Sequence, residues 1–268
     1  MIVKNESKIG KRIFELDFIR GILILLMCME HPVYFISNYV NMGIWDPNQV
    51  SIAVQKAGEL AHAVLTGTPV HYRLLKAAWC IYFFLSGITL TFSRNQYKKC
   101  LGLLVLFAVS YITYAFTNKN TDYFIMLEFG MFLGYCVYTF FFQLIRKFPL
   151  WFHISLACAL FVVLIFSQIN NFNFELNPLR WFGISKKLSM SNYDSWNIFP
   201  SIFFFAAGGV VGRTVYKNRK SLLPTLDKYL IFKPITWFGR HSLQIYIGLN
   251  ILLPIIFISL TPIINASI

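Results

Sequence analysis

Asp17, Arg20 and His31 place an acid, a guanidinium and an imidazole in one apolar run that ends at Glu30-His31-Pro32. An imidazole titrates near neutrality, so it can take or give a proton there. A guanidinium pairs with a carboxylate or a phosphate through parallel hydrogen bonds. On a helix turning about 100° per residue, Arg20 and His31 fall within roughly 20° of each other. By the same count Asp17 lies about 60° from Arg20 and about 40° from His31. One helical face is therefore expected to carry all three groups, spread over roughly 20 Å. Ionisable groups inside a membrane segment are expensive and default to functional roles. Glu30 sits about 100° from the His31 direction, where it could orient or charge-balance a neighbour.

The helices that must hold this face are legible in composition. The chain has 268 residues, 57% hydrophobic and 18% aromatic, with 13% charged. A soluble domain carries about 25% charged residues. Twenty-eight Phe spread through long apolar runs cannot all be hidden in one soluble core. The expected fold is all-α, a polytopic membrane helix bundle of about seven transmembrane helices, or eight if Pro254 breaks the last apolar segment. Residues 1–15 are expected to form a cytoplasmic N-terminal segment, and residues 16–268 a single integral-membrane domain. No small-residue cleavage site follows the first run, so it reads as an uncleaved helix.

The expected first helix covers Leu16 to Ser37. A polar region from Asn38 to Lys76 follows, with a weakly amphipathic piece from Ser51 to Leu65 that either lies at the interface or folds back toward a site. Further helices are expected at about Ala77–Ser93, Leu101–Thr117, Tyr123–Leu144, Leu150–Gln168 and Asn197–Tyr216. The pairs Gly130/Gly134 and Gly208/Gly212 have the spacing that lets a neighbouring helix approach closely. Arg240 and Gln244, four apart, would share a face near the last apolar segment.

The net charge of +13 does not indicate a nucleic-acid surface. Lys and Arg cluster where apolar runs end and form no single stripe, which is the pattern that topology demands. Between the expected helices, fifteen fall on one side and seven on the other. That imbalance places the N-terminus in the cytoplasm of a multi-pass plasma-membrane protein. Cys28, Cys80, Cys100, Cys136 and Cys158 show no CxxC spacing, so they read as small membrane-buried thiols. No metal constellation and no phosphate loop is visible.

These pieces, in this order, resemble the transmembrane acyltransferases related to heparan-α-glucosaminide N-acetyltransferase. Arg12 through Leu16-Asp17 and Arg20-Gly21, then Met27 and His31, is similar to that family's opening. Phe83-Phe84-Leu85-Ser86-Gly87-Ile88 is similar to its second-helix motif. Asp194 through Phe199-Pro200, then Gly208 and Gly212-Arg213, resembles a later helix. Phe238-Gly239-Arg240-His241-Ser242-Leu243-Gln244-Ile245-Tyr246 resembles its late segment. Two positions depart from the pattern: Gly248-Leu249-Asn250 stands where a His is usual, and Glu128 where a middle-helix His is common.

The resemblance implies a cytoplasmic acyl-CoA donor, acetyl-CoA in the first instance, and a glycan hydroxyl or amine as extracytoplasmic acceptor, with no permanently bound cofactor. It makes His31 the candidate base, grouped with Asp17 and Arg20, although a packing His and a self-satisfying Asp17–Arg20 pair remain open readings. Arg20, Arg240 and Ser86 would face the donor, and Ser86 has a close-packing alternative. Asp194, Glu30, Glu128 and Asn250 would face the acceptor, with an N-cap as the other role for Asp194. The expected partners are the lipid bilayer, the acyl-CoA donor and the glycan, with a homo-oligomer left open and no nucleic acid. A non-catalytic or transporter-like protein on the same scaffold is the alternative.

Overall fold

A computed structural model describes residues 12–41, 52–66, 69–92, 97–98, 100–106, 108–109, 112, 130–170 and 198–265. The described residues are mostly helical and contain no strand. In order the helices are α1 (Phe14–Asn41), α2 (Ile52–Thr66), α3 (Pro69–Leu90), α4 (Gly130–Ile145), α5 (Leu150–Asn170), α6 (Ile198–Thr214), α7 (Lys233–Arg240) and α8 (Ser242–Asn265). Two 3-10 turns, Leu226–Lys228 and Leu230–Phe232, precede α7.

α1 divides cleanly into two faces. Ile24 is buried, and Met27 and Cys28 pack on the same core. With Arg20 and His31 these residues recur at the three- and four-residue spacing of one helical face. Ile22, Leu26 and Met29 lie on the other face and are exposed, Met29 at 72%. An apolar face turned outward suits lipid and not water. Over Phe14–Ser37, α1 is long and apolar enough to cross a membrane. The bent pair of Leu230–Arg240 and Ser242–Phe257 is a second candidate span, and Ala77–Leu90, Gly134–Ile145 and Leu150–Phe166 are shorter apolar helices. The expected count of about seven spans is therefore not reached among the described residues.

The core joins α3, α4 and α6 through aromatic rings. Tyr138 meets Phe83 at 5.5 Å and Phe205 at 5.8 Å, and Phe142 meets Phe205 at 5.2 Å. α3 and α6 lie backbone to backbone. A Cβ at Gly87 would overlap the Phe205 carbonyl, and one at Gly208 would overlap the Phe84 carbonyl. A Cβ at Gly212 would come within 2.6 Å of Thr91 Oγ1. Small residues at this spacing let helices pack where water gives no drive to associate. Among the described residues, a Cβ at Gly134 would meet the Tyr138 ring of its own helix, at 3.8 Å, and no neighbouring helix.

Two other expectations, the start of α3 and the break in the last segment, are corrected. α3 begins at Pro69 and not near Ala77, so His71, Arg73 and Lys76 belong to its first turns. A proline as first helical residue has its φ preset and loses no intrahelical hydrogen bond. The amphipathic piece is α2, and it packs on α1 with Ala61 buried and Ser37 Oγ 3.4 Å from His62 Nδ1. The last segment breaks at His241 and not at Pro254. His241 takes φ −105° and ψ 15°, α7 and α8 meet at 62°, and α8 continues through Pro254. Arg240 and Gln244 thus fall on different helices and share no face.

Candidate active site

The site is built where α1 crosses α7 and α3. Gly21 and Gly239 let α1 and α7 touch backbone to backbone, because a Cβ at Gly239 would overlap the Asp17 carbonyl and one at Gly21 the Ile235 carbonyl. That approach brings Arg240 Nε to 3.2 Å from Asp17 Oδ2, across 223 residues of sequence. Arg240 Nη2 also lies 3.8 Å from Asp227 Oδ1. Asp17 is the more enclosed partner, with its side chain 13% exposed against 34% for Arg240.

Losing the cation should therefore cost more than losing the acid. Arg240→Ala takes the hydrogen-bonded cation from a mostly enclosed carboxylate and leaves it the charges of Arg20 and Arg12, whereas Asp17→Ala leaves Arg240 with Asp227 and solvent. We expect Arg240→Ala to destabilise by about 1–2 kcal/mol more than Asp17→Ala, scaled down from a fully buried pair. Thermal unfolding in detergent reads the difference, and equal midpoints would refute the asymmetry.

Arg20 does not close onto Asp17. Its Nη2 donates to Thr89 Oγ1 at 2.8 Å and to the Leu85 carbonyl at 3.3 Å, both on α3. Thr89 in turn donates to the carbonyls of Leu85 and Ser86, each at 3.1 Å. This back-bonding occupies the hydroxyl proton and leaves an oxygen lone pair for the guanidinium. The self-satisfying pair considered from sequence is thus replaced by two interhelical contacts. Arg20 Nη1 and Nε make no hydrogen bond to a described residue, so an anion could still be held there. The Tyr82 and Tyr135 hydroxyls, on α3 and α4, are within electrostatic reach of the same guanidinium.

Thr89→Val keeps the volume and removes the acceptor. It should lower stability by about 1–3 kcal/mol, and Thr89→Ser should restore most of the loss. An unfolding midpoint unchanged in Thr89→Val would remove Thr89 as the anchor of Arg20.

His31 faces the interior. Its side chain is 13% exposed and its ring lies 6.4 Å from that of Tyr246 on α8, edge to face. Glu30 Oε2 comes within 3.0 Å of His31 Nδ1. The contact is not aligned as a hydrogen bond, so this enclosed nitrogen has no hydrogen-bond partner among the described residues. A buried polar atom left without a partner calls for an explanation such as a bound group or a catalytic role. Arg20 and His31 are about 16 Å apart along α1 at 1.5 Å per residue.

Ser86 is buried and donates to the Tyr82 carbonyl at 2.8 Å, which leaves its oxygen only accepting capacity. Asn250 falls in α8, and its side chain is outside what the structure describes. Glu128 and Asp194 lie outside the described residues. Sequence reasoning missed Thr89, Tyr246, Tyr82 and Tyr135. Thr89 was detectable, lying one turn past Leu85 on the face that already held Ser86. Tyr246 lies inside the late Phe238–Tyr246 segment, and its place beside His31 was not detectable because nothing in one sequence tells which helix α1 meets.

Comparison with known proteins adds one finding. A family model described as heparan-alpha-glucosaminide N-acetyltransferase, catalytic, matches residues 12–250. No curated protein and no solved structure matches the chain. The matched span takes in Asp17, Arg20, Glu30, His31, Ser86, Thr89, Arg240 and Tyr246.

Proposed function

Because the chain belongs to the heparan-alpha-glucosaminide N-acetyltransferase catalytic family, we propose that it is a multi-pass plasma-membrane acyltransferase. It moves an acetyl or other short acyl group from cytoplasmic acyl-CoA to a hydroxyl or amine of an extracytoplasmic glycan. The observation that carries the reading is the matched span, which contains an enclosed imidazole, beside Glu30 and with no aligned hydrogen bond at Nδ1 among the described residues, on the same helical face as Arg20.

In this reading His31 accepts the acceptor's proton as its oxygen or nitrogen attacks the thioester carbonyl. The tetrahedral adduct then expels the CoA thiolate, which takes the proton from His31. Glu30 beside the ring stabilises the imidazolium that forms between those steps. Arg20, with two nitrogens free of described partners, holds a donor phosphate. Arg240 is tied to Asp17 and sits at the same end of α1, where it adds positive potential. Asp194, Glu128 and Asn250 are assigned to the acceptor side. The N-terminus is cytoplasmic, following the excess of Lys and Arg on that side.

Purified protein in detergent should bind acetyl-CoA, read by equilibrium dialysis, and should release free thiol when an amino sugar is added. One feature favours a different class: Asn250 stands where the family pattern carries a His. A transporter-like protein on this scaffold would bind no acyl-CoA and would instead pass a solute across vesicle membranes, and that pair of results would replace the enzymatic reading.

A further inference from the structure

The chain between α6 and α8 combines two properties that rarely share a surface. It is basic, with Lys217, Arg219, Lys220, Lys228 and Lys233 all exposed, and Asp227 is its one acid, placed 3.8 Å from Arg240. It is also apolar on the outside, with Leu230 at 76%, Ile231 at 74% and Trp237 at 51% exposure. Leu230 and Ile231 are neighbours in the chain and Trp237 follows in α7, and large hydrophobes left that open in water need a cover.

The position of this segment says what the cover is. Phe232 turns inward onto Phe14 at 5.9 Å and Phe18 at 5.4 Å, at the start of α1. Glu15 accepts hydrogen bonds from the Leu222 amide at 2.7 Å and from the Ser221 hydroxyl. Arg219 donates to the Phe92 carbonyl just past α3 at 3.0 Å, and Arg213 donates to the Arg146 carbonyl just past α4 at 2.6 Å. The segment is therefore tied to the end of the bundle where α1 begins and where α3, α4 and α6 finish. If α1 crosses a membrane, that end lies at the level of the lipid headgroups.

We propose that residues 217–240 form an interfacial segment seated on an anionic phospholipid leaflet, with Leu230, Ile231 and Trp237 in the acyl boundary and the flanking lysines on headgroup phosphates. Charge complementarity selects the occupant. A neutral apolar partner leaves five cations unmatched, whereas an anionic leaflet offers apolar depth and negative charge on one surface. The indole of Trp237 suits that boundary, having an apolar body and a polar N–H.

The inference rests on the membrane placement proposed above, and the test separates the two. Leu230→Cys, Lys220→Cys and Met29→Cys are each made in the full chain and placed in vesicles of phosphatidylcholine alone or with phosphatidylglycerol. Each is then reacted with a water-soluble polyethylene-glycol maleimide, with the native chain as the background of five cysteines. The Cys at 230 should react at least about tenfold more slowly than that at 220 in the anionic vesicles. Adding Lys228→Glu and Lys233→Glu should abolish most of that protection. Equal reaction at 230 and 220, with the Cys at 29 protected, overturns the interfacial segment and leaves the membrane placement standing. Reaction at 29 as fast as at 220 overturns the membrane placement itself. Equal protection at 230 in both vesicle types overturns the anionic requirement. Protection that persists in detergent together with a dimer-sized particle assigns the patch to a second copy and also overturns the proposal.

Discussion

His31→Ala is expected to lower acyl transfer by about 10²–10⁴-fold while leaving acetyl-CoA binding in place. The size follows from the role, because a positioned base contributes that much when it alone relieves the acceptor of its proton. Selectivity for turnover over binding follows from the geometry. Arg20, the proposed phosphate holder, has its own anchor on α3 and lies about 16 Å away along α1. Folding should survive the change, since Nδ1 makes no aligned hydrogen bond that alanine would break. His31→Gln supplies a further control, because it preserves hydrogen-bonding capacity and still cannot take up a proton at neutral pH. Thiol release by either variant at the native rate would show that another group is the base. Loss of acetyl-CoA binding in both would assign His31 to donor binding instead.

Gly239→Ala should have the largest effect on stability. The added methyl has no vacant space, because it would overlap the Asp17 carbonyl and come within 2.9 Å of the Gly21 amide nitrogen. Both obstacles are backbone of α1, and neither can rotate aside as a side chain would. Relief requires α7 to move away from α1. That movement breaks the Arg240–Asp17 contact and loosens the Phe232 packing on Phe14 and Phe18. Overpacking a tight contact costs about 1–3 kcal/mol, and the upper end or beyond applies where backbone is the obstacle. Gly248→Ala is the matched control on the adjoining helix, since a Cβ there meets no described residue within 4 Å. Unfolding midpoints in detergent should differ clearly between the two variants. Equal midpoints would mean that α1 and α7 do not cross as closely as described.

The two variants mark the boundary between what a linear reading can reach and what it cannot. The face shared by Arg20 and His31 was legible because it depends only on the period of a helix. Packing of Ile24, Met27 and Cys28 into the core shows that the face points inward. The helical class was legible for a similar reason, since long apolar runs with so few charges have few ways to satisfy their backbone except internally. The family opening around Asp17-Phe18-Ile19-Arg20-Gly21 was local enough to be read directly.

Partner choice depended on the third dimension. Asp17 and Arg20 are three residues apart and look made for each other, but one binds α7 and the other α3. A helix-surface pair gains only a few tenths of a kcal/mol, so any enclosed partner brought near by packing outcompetes it. Gly239 decides which partner arrives, and its meaning is invisible until the Asp17 carbonyl is seen where a Cβ would stand. The break at His241 was misplaced to Pro254 for a related reason. Proline announces a missing hydrogen bond in any sequence, whereas a bend at an ordinary residue is set by how the flanking helices dock. Composition and periodicity thus determined the helices and the inward-facing polar stripe. Tertiary structure alone decided which charges meet, because contacts across 65 to 223 residues depend on backbone approach distances that no local pattern encodes.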